Sequence, residues 1–359
     1  MKIRPLAIHL PQFHPIPEND EWWGKGFTEW INVVKAKPKF PGHYQPHLPA
    51  DLGFYDLRLV DTIRLQHQLA RDYGIHGFCY YHYWFQGKTL LETPLNLLLE
   101  KKDIEANYCI CWANENWTRR WDGQDDDILI QQQYSLEDDK RHFQYLQRFF
   151  DDNRYIRVDG KPLYVVYRIE LIPNIKKTVE VWRQQCRDLG IGEIYLLFVD
   201  KSTTLVDPES FGFDAMIEFQ PNWKKVVRDK GSLTKRLLHK LSIRSSVFSE
   251  NRVVDYQDYV VKMLSSPKSP FKSYPSVFPM WDNSARRKSS ATIFYGSTPM
   301  KYESYLTQVI SNFEPFSEQE NFVFINAWNE WAEGNHLEPC QRWGRAYLEA
   351  TKSSLSPYL

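Results

Sequence analysis

Apolar and polar positions along this chain follow two periods. Short runs of apolar, β-branched and aromatic residues recur at 5–10, 77–83, 108–113, 163–167, 194–199, 215–219, 276–280 and 322–327. Runs of this length bounded by polar or turn residues predict buried strands. Between several of them, apolar residues recur every three to four positions and predict helices over 57–73, 136–150, 175–189, 301–312 and 343–355, the first and third followed by Gly74 and Gly190. Strand alternating with helix implies a parallel sheet. Eight such strands in 359 residues predict an α/β fold, a (β/α)8 TIM barrel, in preference to an open doubly wound sheet. No GxGxxG follows a strand, so a Rossmann dinucleotide site lacks its marker.

Two stretches interrupt the pattern. Residues 12–52 hold Pro15, Pro17, Pro38, Pro41, Pro46 and Pro49 together with Trp22, Trp23 and Trp30, which predicts a long ordered loop of functional kind after the first strand. The second, 222–274, reads as an insertion between strands six and seven. Its part from 224 to 252 sets Lys224, Lys225, Arg228, Lys230, Lys235, Arg236, Lys240, Arg244 and Arg252 against only Asp229 and Glu250, a basic amphipathic stretch that reads first as a solvated helix and alternatively as a contact for a phosphate or an anionic membrane surface. With no repeat or linker, the expectation is a single catalytic barrel domain over 1–359 with an insertion at about 222–274.

Composition narrows the function. Lys plus Arg total 45 and Asp plus Glu total 45, so the surplus of cations that a general nucleic-acid binder needs is missing. Mean hydropathy is −0.54, and apolar runs such as 195–199 fall far short of the roughly 20 residues of a membrane span. The opening apolar run stops at Leu10 before a Pro-rich polar stretch, reading as a strand and not as a secretory signal. Five cysteines without framework spacing fit reduced thiols. The expected location is therefore cytoplasmic. The 13 Trp, 21 Tyr and 21 Phe suit a glycan cleft, where aromatic planes stack on sugar C–H faces and polar side chains meet the hydroxyls.

In a TIM barrel, chemistry gathers where strands end. Four predicted ends are crowded with suitable residues: His82, Tyr83 and Trp84 after strand two; Trp112, Asn114, Glu115, Asn116 and Trp117 after strand three; Trp281, Asp282, Asn283 and Arg286 after strand seven; Trp328, Asn329, Glu330, Trp331 and Glu333 after strand eight. Strand one adds His9, Gln12 and His14. Glu330 and Glu333 stand out, because chemistry at an anomeric carbon needs two carboxylates with divided roles. The competing reading is a helix N-terminus whose acidic residues complement the dipole. The remaining residues are expected to contact substrate. Cys109 and Cys111, two apart on a strand, read as barrel packing, and Asp125, Asp126 and Asp127 as an acidic loop after Gly123; no metal is expected.

The stretches GFTEW (26–30), KFPGHYQPHLP (39–49), GFCYYHYWFQGKTLLETP (77–94), CWANENWTRRWDG (111–123), PMWDNSAR (279–286) and NAWNEWAEGNHLEP (326–339) resemble the WbsX-type proteins of bacterial polysaccharide gene clusters, relatives of the endo-α-mannosidase glycoside hydrolases. The resemblance runs in order along nearly the whole chain. It implies a (β/α)8 barrel and reaction at the anomeric carbon with retention. It further implies that Glu330 takes the proton of a sugar 2-hydroxyl so that this oxygen attacks the anomeric carbon, and that Glu333 serves as acid toward the leaving oxygen and then as base toward the acceptor. The expected function is a glycosyltransferase of O-antigen, lipopolysaccharide or capsule synthesis. A retaining glycoside hydrolase or transglycosidase is the first alternative and a non-catalytic glycan-binding barrel the second. No cofactor is expected beyond a nucleotide sugar as co-substrate. The expected partners are a lipid-linked glycan acceptor and peripheral contact with an anionic membrane, without nucleic acid.

Overall fold

A computed structural model of the chain describes residues 2–119, 124–201, 206–226, 250–287 and 289–358. Eight parallel strands close on themselves: β1 Arg4–His9, β2 Gly77–Phe85, β3 Tyr108–Trp112, β4 Lys161–Val166, β5 Tyr195–Val199, β6 Ala215–Glu218, β7 Ser273–Val277 and β8 Phe322–Ile325. Each pairs with the next, and β8 returns to β1 with Ala7 opposite Ile325. The predicted (β/α)8 barrel is the observed fold.

Helices α1 Val60–Asp72, α2 Thr93–Glu100, α3 Leu136–Phe150, α4 Ile175–Asp188, α5 Tyr256–Leu264, α6 Pro299–Ser311 and α7 Ala346–Leu355 pack outside. Side-chain caps mark several starts: Ser135 accepts from the Asp138 amide, Asn174 from Lys177, Asp255 from Asp258 and Thr298 from Lys301. The sequence pattern missed α2 and α5, both too short for a clear helical period. The long first loop is ordered and contains two short helices, Pro17–Trp23 and Glu29–Lys35.

The 222–274 stretch is partly regular. Its strand Arg252–Asp255 pairs in parallel with Thr292–Tyr295, which pairs with Trp281–Asp282 to make a small second sheet, and α5 follows as a barrel-type helix. Residues 227–249, which hold most of the basic run, lie outside the described residues. Asp125, Asp126 and Asp127 belong to strand Gln124–Ile130, paired with Trp117–Arg119, where a loop was expected. No helix among the described residues is long and apolar enough to cross a membrane.

All nine residues of β2 are buried, because a parallel barrel strand is covered on both faces. Side chains of a strand alternate, so consecutive positions meet different surroundings. Tyr80 Oη lies 3.0 Å from His67 Nε2 of α1, His82 lies 3.0 Å from His142 of α3, and Trp84 Nε1 donates to Asp138 of α3 at 2.9 Å. These residues face the helices. Cys79, Tyr81 and Tyr83 therefore point into the barrel, Cys79 touching the inward thiols Cys109 and Cys111. All five cysteines are free and buried.

Trp182 of α4 locks this outer layer. It is fully buried, stacked on Phe143 of α3 with centroids 5.3 Å apart, and meets Trp112 of β3 edge-on at 6.1 Å. Trp182→Ala is expected to lower unfolding stability by about 3–5 kcal/mol in a chemical-denaturation titration.

Candidate functional site

A cleft of about 730 Å³ opens where the barrel strands end, in the roughly 300–1,000 Å³ range of small-molecule sites. Each strand exit contributes: Gln12 after β1, Tyr81 and Tyr83 on β2, Glu115, Asn116 and Trp117 after β3, Tyr167 after β4, Lys201 after β5, Phe219 and Trp223 after β6, Trp281, Asn283, Arg286 and Arg287 after β7, and Asn326, Glu330 and Glu333 after β8. A smaller recess of about 320 Å³ shares Glu115, Lys201, Phe219 and Trp223 with it and continues to Arg168, Asp200 and Lys224.

The segment after β8 explains how Glu330 and Glu333 come to share the cleft. Asn329–Glu330 pairs antiparallel with Asn335–His336, joined by a single helical turn Trp331–Glu333 and Gly334. Gly334 sits at φ 54°, and a Cβ there would stand 3.0 Å from the Asp282 Cβ and 3.1 Å from its carbonyl oxygen. Only glycine fits this tight hairpin without a shift. The turn sends the two carboxylates into the cleft and their neighbours away. Trp331 stacks on His336 at 3.8 Å and donates through Nε1 to Glu338 at 2.7 Å.

Arg286 crosses between segments. Its Nη1 donates to Glu333 Oε1 at 2.6 Å and its Nε to Glu29 Oε1 at 2.8 Å, with the Glu29 side chain fully buried. Burial works against the guanidinium charge, but Glu29, Glu333 and Glu330 hold its pKa above the ordinary value. Glu330 is the counterpart. Burial, then the charge and hydrogen bonding of Glu333, push its carboxyl well above the usual range, and the more weakly felt Arg286 only partly offsets them. The pair therefore divides into a carboxylate ion-paired with Arg286 and a carboxyl that resists ionisation.

Polar groups beneath the cleft hold this hairpin. Asn329 Oδ1 accepts from the Leu10 amide at 2.7 Å, while its Nδ2 donates to the Leu10 carbonyl at 3.0 Å and to Tyr55 Oη at 3.1 Å. Glu338 accepts from Tyr55 Oη at 2.9 Å and from Gln66 Nε2 at 2.7 Å, and Gln66 Oε1 meets His9 Nε2 at 3.1 Å. Burial pushes Glu338 up to about 7 despite its donors. Asp282, also buried, stays below its ordinary value because His43 lies 2.5 Å away, with Gln45 Nε2 donating at 2.7 Å.

The structure brings half of the predicted site residues together: Gln12, Tyr83, Glu115, Asn116, Trp117, Trp281, Asn283, Arg286, Glu330 and Glu333 line the cleft. The others support it from behind. His9, His82, Trp84 and Trp112 point outward against helices, His9 on Gln66 and Trp112 edge-on to His142. Asn114 bonds the Arg168 backbone through both amide atoms, at 2.7 and 2.8 Å, and so fixes the exit of β4. Trp328 packs on Phe78 at 4.9 Å, Asn329 and Trp331 serve the network under the hairpin, Asp282 binds the first loop and His14 is buried. Tyr81, Tyr167, Lys201, Trp223, Arg252, Arg287 and Asn326 line the cleft without having been predicted. Period-two alternation from Tyr83 points to Tyr81, and Tyr167 ends a predicted strand; Arg252 was legible only as the last cation of the basic run, and its place in the second sheet is what brings it to the cleft.

Aromatic faces complete the walls. Trp223 meets Trp281 edge-on at 4.9 Å, Trp117 meets Tyr83 at 5.2 Å, and Lys201 Nζ lies 3.4 Å over the Tyr167 ring. Glu115 pairs with Arg168. Among the described residues, no group of three or more His, Cys, Asp or Glu side chains is placed to hold a metal ion.

Residues 5–351 match the family described as Glycosyltransferase WbsX. The chain belongs to that family. The WxcX protein of Xanthomonas campestris pv. campestris is 45% identical over 352 residues, covering 98% of this chain and 49% of that protein, so this WbsX-family chain spans about half the length of the curated relatives it matches. Its fold is similar to the GH99 endo-α-mannosidase from Bacteroides thetaiotaomicron, with TM-score 0.57 and 16% identity over 99% of this chain and 97% of that one. It is also similar to a glycoside hydrolase-like protein, with TM-score 0.62 and 12% identity over 99% and 94%. At such identities the likeness is one of fold.

Glu338 makes the hairpin pH-sensitive. A carboxyl raised in the folded state destabilises as it ionises, so stability relative to Glu338→Gln should fall as pH rises from about 4.5 through about 7, by on the order of 2–3 kcal/mol. Denaturant midpoints of both proteins from pH 4.5 to 8 check this; parallel curves would contradict it.

Proposed function

We propose that this WbsX-family chain is a glycosyltransferase acting with retention in the synthesis of a bacterial surface polysaccharide, O-antigen or lipopolysaccharide or capsule. The observation that carries the reading is the pair formed by buried Glu330 and half-buried Glu333 beside Arg286, at the end of β8 in an aromatic-walled cleft. Family membership supports glycosyl transfer.

Burial and the neighbouring Glu333 both oppose ionisation of Glu330, so in this reading Glu330 is the member of the pair that holds the proton before a donor binds. A carboxylate that resists ionisation is a strong base once emptied. When a donor places its 2-hydroxyl against Glu330, the proton of the pair passes to Glu333, which is in direct contact. Glu330 then takes the 2-hydroxyl proton, O2 attacks the anomeric carbon, and Glu333 protonates the departing oxygen, leaving a 1,2-anhydro sugar. In the second half, Glu333 takes the acceptor's proton, the acceptor oxygen opens the anhydro ring at the anomeric carbon, and Glu330 returns the proton to O2. Two inversions give retention. Arg286 keeps three neighbouring carboxyl groups compatible and holds Glu333 in position.

The acceptor in this reading is a lipid-linked glycan met at the cytoplasmic face of a membrane, an idea supported by the basic run 224–252. A second reading, a retaining hydrolase or transglycosidase on α-mannosides, draws on the full-length fold likeness to an endo-α-mannosidase and uses the same pair.

Incubation with nucleotide sugars and lipid-linked acceptors, beside α-mannoside oligosaccharides, separates the two; release of reducing sugar without donor dependence overturns the transferase. Glu330→Gln and Glu333→Gln should each lower kcat by about 10²–10⁴-fold. Unchanged turnover in both would take the pair out of the chemistry, and no turnover by the unmodified chain with any of these substrates would return it to a glycan-binding role. The pH–rate profile should be bell-shaped, with an alkaline limb above the ordinary carboxylate range, because activity ends when the pair loses its single proton.

A further inference from the structure

One wall of the cleft comes from the second sheet and not from the barrel. Arg252 stands opposite Thr292, its amide donating to the Ala291 carbonyl at 2.8 Å, and the Ser290 amide donates to the Glu250 carbonyl at 2.8 Å. The Thr292 amide donates to Asn283 Oδ1 at 2.8 Å, which ties this wall to the segment carrying Arg286 and Arg287. Arg252, Arg287, Ser290 and Thr292 are thereby fixed on the same cleft as Glu330 and Glu333.

The cations of the cleft are not equivalent. Arg286 is committed to Glu29 and Glu333, and Lys201 lies over Tyr167. Arg252 is half-buried, and its guanidinium makes no hydrogen bond or ion pair with a described residue, Glu250 included. A guanidinium on the wall of a cleft presents a planar fork of donors that matches two oxygens of a phosphate or carboxylate. It offers no acceptor for a sugar hydroxyl proton, whereas the hydroxyls of Ser290 and Thr292 beside it add donors for anionic oxygens. The most basic run of the sequence also starts and ends on this site: Lys224 lines the smaller recess and Arg252 the main cleft.

We propose that the molecule held in this cleft carries an anionic group, a phosphate or a carboxylate, received by Arg252 with the Ser290 and Thr292 hydroxyls at its side. This rests on the carbohydrate reading above and adds the charge of the substrate to it. A phosphate would come from an activated or lipid-linked sugar, a carboxylate from an acidic sugar; both present paired oxygens to the same fork.

The test is an NMR titration of the full chain with glucose 1-phosphate, mannose 1-phosphate, glucuronate and galacturonate, beside the methyl glycosides of glucose, mannose and galactose. The expected result is that at least one anionic sugar binds tenfold or more tightly than its neutral counterpart, with an affinity that falls as salt rises. Whether it is a phosphate or a uronate identifies the source of the charge. Arg252→Gln should remove that tenfold preference while neutral glycosides bind as before, and Arg252→Lys should restore part of it. Equal binding of charged and neutral sugars, or an unchanged preference in Arg252→Gln, overturns this proposal and leaves the carbohydrate reading standing. Binding of no sugar at all overturns both.

Discussion

The cleft depends on one largely buried guanidinium. Arg286 is surrounded by Glu29, Glu333 and Glu330, which arrive from the loop after β1 and from the hairpin after β8, while Arg286 itself follows β7. Three acidic groups in a space poor in water repel one another unless a cation sits among them. Removing one partner of such a buried pair costs about 3–5 kcal/mol, because the charge left behind has nowhere to go. The ion pair therefore acts as a clasp between three segments far apart in sequence. It also makes the two cleft carboxylates unequal, since Arg286 bonds Glu333 directly while Glu330 feels mainly burial and its acidic neighbour.

Beneath the clasp lies a layer of polar groups that never reaches the cleft. Asn329, Tyr55, Glu338, Gln66 and His9 form one connected set running from α1 to the β8 hairpin, and Asp282, His43 and Gln45 form another between the first loop and the second sheet. Buried polar groups are favourable only when their partners are present, so each set permits few alternative arrangements. The long first loop supplies Glu29, His43 and Gln45 to these contacts, and Tyr55 follows just beyond it. It is a structural floor for the site, which accounts for its order despite its length and its prolines.

Strand positions were legible because a barrel strand buried on both faces must be apolar throughout, and eight such runs are hard to miss. Burial on both faces is also why the site was half legible. Where one face is wet, alternation tells inside from outside; in GFCYYHYWF both sets are aromatic or apolar, and His82 and Trp84 look as suited to a sugar as Tyr81 and Tyr83. The first two meet α3, the second two meet the cleft. The same ambiguity misplaced Trp112 and His9. In the segment after β8 the motif residues were found but not their division, because the hairpin at Gly334 sends Glu330 and Glu333 one way and Asn329 and Trp331 the other.

By itself, the sequence determined the barrel, the family resemblance and the carboxylate pair, since these follow from local periodicity and from a short contiguous motif. Only the tertiary structure decided which face of each strand meets the cleft, which carboxylate resists ionisation, and that Arg252 joins the wall at all. Those outcomes depend on distances between residues far apart in the chain. Burial and Coulomb energy act through space, and a linear pattern records neither.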